Sequence, residues 1–555
     1  MLKMLWKGCL VAALLALAAG CADDGTSEQP GDVANNDGNG GKEDNGGGDE
    51  QSLCVGVRGN GARIFAHFGG LALIHEHYGP IDGIAGGSSG SISSFLTESI
   101  YANPHVRNCG GKTCDDRAFG ARAALLYKSI EGYLMVMANS EEVQAIQLLI
   151  PLATQAQQLG LDEMLANGQI EEARQALLTL FQSEDLKDLI NPELIDLLAN
   201  SPDPQFHIED IWGSIKSFGS FAVDNDRLFV RPGLIDFEAF ADKIGRVGSF
   251  YAAYGPANAD TWTAFLDGCA EQGRERNWRE VMTLDAGDGN TCGDHFAQLL
   301  TTWRTDLLVD EASYDSRIND PIGLYLPALI STSVLQGDAV NTFKNAREAY
   351  TNAQPYTWDI NFDDVRFGYW GTNDDLNRVA ANPQGFADDK TARFLPLGQD
   401  TWRKALSLSP AEPGLTRALE INDTLVSAGG WSDLAPTLVL KNMGCDKVAL
   451  VTRQGDVRGF GPAVARLLGM TPDQENALYD LTDFKSGVTT SLDNSNATLC
   501  TNWDGFTDAQ FSDVFDDAYT SPLESTDDFF TDNATPYSFI KESVELPGCS
   551  PGVLN

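Results

Sequence analysis

The stretch from Leu53 to Ser99, LCVGVRGNGARIFAHFGGLALIHEHYGPIDGIAGGSSGSISSFLTES, does most to limit the folds open to this chain. It reads as strand, glycine turn, helix, strand, tight turn, helix. Leu53–Val57 is a continuous apolar run, and Ile81, Ile84 and Ala85 supply a second one. Strands that alternate with helices predict an α/β fold with a mainly parallel sheet. The second turn holds Gly86-Gly87-Ser88-Ser89-Gly90, the Gly-x-Ser-x-Gly pattern of a nucleophile elbow.

That spacing has a physical reason. A serine hydroxyl is a weak nucleophile and has to be presented at a sharp strand-to-helix turn. Side chains two residues before and after it would collide across such a turn, and Gly86 and Gly90 remove the clash. The amide of Ser89 and the helix dipole then face developing negative charge. A Gly/Ser-rich pentapeptide alone is equally what a plain loop looks like. The first half of the stretch adds Gly59-Asn60-Gly61-Ala62-Arg63, a glycine turn after a strand and before a helix, whose amides can point at an oxyanion.

Together these residues resemble the opening of a patatin-like phospholipase. Gly59, Gly61, Arg63, Ala66-His67, Gly69, Pro80-Ile81-Asp82 and Gly86/Ser88/Gly90 match that family's motifs in order and spacing. Asn60 and Ile64 stand where the family has glycine. The resemblance covers about the first fifty residues of the domain and returns near residue 410. It implies a patatin-like three-layer α/β fold with a large helical insertion. It implies Ser88 as nucleophile, with the amides of Gly61, Ala62, Arg63 and Ser89 as the oxyanion hole.

The family's base is an aspartate in a late Asp-Gly-Gly motif. Ser409–Thr452 resembles that region, with Gly429 and Gly430 as the two glycines, Pro436 at a helix start and Lys447–Thr452 as a buried strand. The residue before the glycines is Ala428. Asp433 is the candidate replacement base, although an aspartate there also serves as a helix N-cap. Asp504, in Trp503-Asp504-Gly505, is a second candidate and equally a simple turn residue. The alternative is a catalytically weak patatin-fold protein that binds lipid or a partner.

The 555 residues carry 79 acids against 38 bases, a formal charge of −41. Such an excess argues against nucleic acid and against docking on anionic lipid through a basic patch. Residues 1–20 read as a targeting segment, with Lys3 and Lys7 before the apolar run Leu10–Ala19. The following Cys21 ends Leu17-Ala18-Ala19-Gly20-Cys21, which resembles a bacterial lipobox and implies lipidation. Residues 21–52 are a Gly/Asp/Asn-rich tether, and 53–555 form the domain. Ala22 after the cysteine favours the outer membrane over the inner. The expected setting is therefore a lipid-anchored protein of the bacterial envelope acting on a membrane lipid or lipid ester.

Eight cysteines follow Cys21, and Cys109/Cys114 and Cys269/Cys292 are the expected local disulfides. No Cys or His spacing suits a metal, and no cofactor is expected. Asp285-Ala-Gly-Asp288-Gly-Asn290 lacks the alternating spacing of a calcium loop. His67 reads as a helix-packing residue, His75 and His77 as surface residues. From about 115 to 400 the pattern is helical, at Ala118–Asn139, Glu141–Leu159, Leu161–Gln182, Leu186–Leu198, Trp262–Phe265 and Phe296–Leu308.

Overall fold

A computed structural model of the chain describes residues 52–59, 64–136, 159–183, 186–187, 189–216, 230–254, 259–276, 278–307, 317–357, 365–381, 402–410, 419–421, 424–427, 429, 436–453, 497–501 and 538–540. It is a mixed α/β structure around a mainly parallel sheet.

The glycine-punctuated stretch folds as its pattern predicts. Strand β1 (Leu53–Val57) leads to helix α1 (Phe65–Tyr78), β2 (Gly83–Gly87) and α2 (Ser89–Ala102). The Asp82 carboxylate in the turn before β2 accepts the Leu53 N–H at 2.7 Å, fixing where the two strands begin. Later strands complete the sheet: β3 (Ala328–Leu335), β4 (Val365–Trp370), β5 (Leu419–Ile421), β6 (Thr424–Ser427), β7 (Lys447–Arg453), β8 (Ala497–Thr501) and β9 (Ser538–Ile540). The order is β9-β8-β7-β1-β2-β3-β6-β5, with β4 also on β3. The run β8-β7-β1-β2-β3 is parallel throughout.

Side-chain alternation sends each central strand into two different cores. Val55, Val57, Ile84, Ile330, Ala449 and Val451 join the larger cluster with α1 and α2. Cys54, Ala85, Leu329 and Val448 turn to the other face and meet Val439, Leu440 and Met443 of the helix Leu438–Met443. Helices thus cover both faces, the arrangement a parallel sheet requires.

The helical middle differs from its sequence reading in three ways. It ends sooner than 400, because β3 and β4 return the chain to the sheet from residue 328. The segment 161–182 is two helices, Leu161–Ala166 and Ile170–Phe181, broken at Asn167-Gly168-Gln169, where Gly168 has φ +69°. The helix expected from Leu186 starts at Pro192, with the Asn191 side chain accepting the Glu193 N–H as its N-cap. Helix α3 (Asp116–Val136), Ala259–Cys269 and Cys292–Leu307 agree with the pattern. Glu141 to Gln158 lies outside the described residues. The helices from Leu161 to Lys216 build a core of their own around Leu177, Phe181, Leu194, Ile208 and Trp212.

Both expected local disulfides are present, Cys109–Cys114 and Cys269–Cys292. A third, Cys54–Cys445, joins β1 to the turn entering β7 across 391 positions. His67 is buried, with Nδ1 2.8 Å from Ser93 Oγ, and His77 is exposed, both as expected. His75 is not a surface residue. It is fully buried, its Nδ1 on the Leu71 carbonyl (2.8 Å) and its Nε2 on the Tyr101 hydroxyl (3.0 Å).

Candidate active site

Ser88 sits between β2 and α2 with φ +51° and ψ −125°. That backbone conformation is costly for a side chain bearing a Cβ, on the order of 1–3 kcal/mol. The surroundings hold it there. A Cβ on Gly86 would lie 2.1 Å from the Gly90 carbonyl oxygen and 2.5 Å from Ser94 Oγ. A Cβ on Gly90 would lie 2.3 Å from the Val57 carbonyl oxygen. Gly86 therefore faces the Gly90 backbone across the turn, and Gly90 in turn faces the end of β1 at Val57 and Arg58. The Ser91 amide and hydroxyl both donate to the Ser88 carbonyl, at 2.9 and 2.6 Å, closing the first turn of α2.

Ser88 retains 6% of its surface, so the elbow lies beneath other parts of the chain and not at an open sheet edge. Ser89 opens α2, where first-turn amides and the helix dipole favour negative charge. Gly59 is described, but Asn60, Gly61, Ala62 and Arg63 lie outside the described residues, as do Cys21, Ala428, Gly430, Asp433 and Asp504. The structure therefore positions Ser88, Ser89, Gly86 and Gly90, and leaves the remaining site residues where the sequence put them.

The sheet brings the late segment to the elbow all the same. β2 runs along one edge of β3 and ends with Gly87 beside Ser331. β4 takes the other edge of β3 from Ile330 to Leu335. Antiparallel β6 then uses the same edge as β2, with Ser427 opposite Ser333. The C-terminal ends of β2 and β6 thus converge from opposite directions on the same short stretch of β3. Gly429 lies there, and a Cβ on it would be 2.3 Å from the Ser331 carbonyl oxygen.

Ser409, directly after the helix Trp402–Leu408, ties these ends together and was not singled out by the sequence reading. Its Oγ accepts the Ser88 N–H at 3.0 Å and donates to the Ser331 carbonyl at 2.7 Å. Its carbonyl accepts the Gly429 N–H at 3.0 Å. A local motif does not announce such a residue; only the proximity of α2, β3 and the chain leaving β6 does.

α2 is anchored beneath the elbow by a buried ion pair. Glu98 accepts the Tyr325 and Gly323 amides at 2.9 and 3.3 Å and meets Arg317 Nη2 at 3.3 Å. Burial raises the Glu98 carboxyl above its usual range, and Arg317 and the two amides pull it back in part. The Arg317 guanidinium also lies over the Phe95 and Trp402 rings, at 5.0 and 5.5 Å. This cluster braces α2 against the segment entering β3 and against the helix that ends at Ser409.

No family model, curated protein or solved structure matches this chain. The site has to be read from its own geometry.

Among the described residues, no carboxylate or imidazole hydrogen-bonds the Ser88 hydroxyl, and no group of three or more His, Cys, Asp or Glu could hold a metal. Among them also, no helix is long and apolar enough to cross a membrane. What the geometry offers is a serine on a strained, glycine-flanked turn at a helix N-terminus. A second chain segment is delivered beside it by two converging strands.

Proposed function

We propose that this chain is a serine-dependent lipid acyl hydrolase with a patatin-like three-layer fold, tethered to the bacterial envelope through a lipid on Cys21. The backbone of Ser88 carries the reading: a non-glycine residue at φ +51° between two glycines that admit no Cβ. Strain of this kind gathers at functional sites, and a purely structural turn at this position is better served by glycine.

In this reading Ser88 Oγ attacks the ester carbonyl carbon while its proton passes to a base. The carbonyl oxygen becomes an oxyanion held by the amides of Gly61, Ala62, Arg63 and Ser89. Collapse expels the alcohol, which takes up that proton, and leaves an acyl-serine. Water then releases the acid and restores the hydroxyl. The substrate is a membrane lipid or lipid ester, and outer-membrane anchoring is favoured over inner.

Asp433 is the proposed base, in the sequence between Gly429 and Pro436. The rival reading is a lipid-binding or interaction protein on the same fold with little turnover. Ala428 in the expected aspartate position favours it. Hydrolysis of p-nitrophenyl esters and of phospholipid vesicles separates the two. The hydrolase reading expects turnover that Ser88→Ala and Asp433→Asn both abolish, with losses on the order of 10⁴ or more for Ser88→Ala. The rival reading expects no turnover in the native chain and its appearance in Ala428→Asp.

A further inference from the structure

Parallel strands donate from every second residue, so the bonds between β2 and β3 can be followed to where they stop. The Ile84 amide donates to the Pro327 carbonyl at 2.9 Å, with Ile84 opposite Ala328. The two-residue repeat makes Ser88 N–H to Ser331 C=O the last bond of the series. That bond is not made. The Ser88 N–H goes to Ser409 Oγ at 3.0 Å, and Ser409 Oγ–H goes on to the Ser331 carbonyl at 2.7 Å. A side-chain hydroxyl has been inserted into the ladder at the residue where the chain has to leave it.

We infer that Ser409 is a positioning residue for Ser88: its hydroxyl, interposed between the Ser88 N–H and the Ser331 carbonyl, holds the elbow in its strained conformation, and its carbonyl fixes Gly429 beside it. The inference rests on the reading of Ser88 as the nucleophile.

The placement has the marks of a built feature. Ser409 is fully buried, as is Ser331, so neither the amide nor the carbonyl it bridges has bulk water in the hydroxyl's place. Ser409 is itself held by its amide on the Ala405 carbonyl at 2.9 Å, one turn back. That helix is packed on α2 through Trp402 and Phe95, whose rings are 5.0 Å apart. Ser409 thus links Ser88 and the chain leaving β6 directly, bonded to one through its side chain and to the other through its main chain. Without the hydroxyl, a direct Ser88–Ser331 bond would draw the end of β2 toward β3 and relax the turn. Displacement of a reacting atom by about 1 Å costs up to about 100-fold in rate.

The test compares kcat, KM and the rate of inactivation by a fluorophosphonate, using p-nitrophenyl butyrate as substrate and the full chain. Ser409→Ala is expected to lower kcat and the inactivation rate by about 10- to 100-fold with KM unchanged. Ser407→Ala is the control. That serine is also buried, on the same helix, and donates only to the Lys404 carbonyl at 2.9 Å. It should stay within about twofold of the native rate. Ser409→Cys keeps the volume with a weaker donor and acceptor and should fall between native and alanine. It also serves if Ser409→Ala does not fold. Equal rates for native, Ser409→Ala, Ser409→Cys and Ser407→Ala overturn the inference while leaving Ser88 as nucleophile. A native chain with neither turnover nor inactivation overturns the nucleophile reading, and the inference falls with it.

Discussion

At the scale of single residues, shape and protonation make different demands, and both can be measured. Gly86 has no room for a methyl group: its Cβ would fall 2.1 Å from the Gly90 backbone. Backbone cannot swing aside as a flexible side chain can. Gly86→Ala should therefore lose at least about 3 kcal/mol of stability or fail to accumulate, by urea denaturation or soluble yield. His75 makes a prediction of another kind. Burial lowers its pKa from 6.5 to about 4, and the hydrogen bond to the Leu71 carbonyl opposes this only in part. Above pH 6.5 folded and unfolded chains both hold it neutral. Below that the unfolded chain takes up a proton that the folded chain refuses, so stability falls as pH drops from 6.5 toward 4. The loss between pH 7.5 and 5 should be about 2 kcal/mol. His75→Gln should remove that part of the slope in urea midpoints measured at the two pH values. An unchanged slope would show that His75 takes up its proton in the folded chain. Nothing in the local sequence betrays this burial. His75-Glu76-His77 looks like a solvated helix end, and the partner of Nε2 is Tyr101, 26 positions on.

At the scale of elements, the legible parts were those whose cause is local. β1, α1, β2 and α2 follow from apolar runs and glycine placement within Leu53–Ala102. Cys109–Cys114 and Cys269–Cys292 follow from short separations of 5 and 23. What was missed depends on distant chain. β3 reads ALISTSVL, and its Ser-Thr-Ser centre hides a strand buried at all eight positions. The Thr332 hydroxyl is acceptable inside because it donates to the Gly368 carbonyl on β4 at 3.3 Å. Cys54–Cys445 could be paired only once β1 and β7 were known to be neighbours. It closes a far longer loop than either local disulfide, so the unfolded chain gains far more freedom without it. Replacing both of its cysteines by alanine should cost up to about 5 kcal/mol, against about 2 kcal/mol for the Cys109–Cys114 pair. Chemical denaturation of the two double variants checks the order. A larger loss from the short loop would contradict it.

At the scale of the whole molecule, the sheet, its two cores and the separate helical core around Leu177 and Trp212 divide the work. The sheet brings the ends of β2 and β6 together, α2 and the Glu98–Arg317 pair brace them from one side, and the cover leaves Ser88 only 6% exposed. Under the proposed function a substrate would have to enter beneath that cover, which suits an acyl chain better than a large polar polymer. The charge of −41 opposes docking on anionic lipid through a basic patch. All of this bears on one hydroxyl. The most direct measurement is to treat the purified full chain with a fluorophosphonate and map the adduct by peptide mass spectrometry. The account predicts one modified residue, Ser88, and its loss in Ser88→Ala. A folded native chain that carries no adduct at Ser88, or one whose labelling persists undiminished in Ser88→Ala, would contradict it.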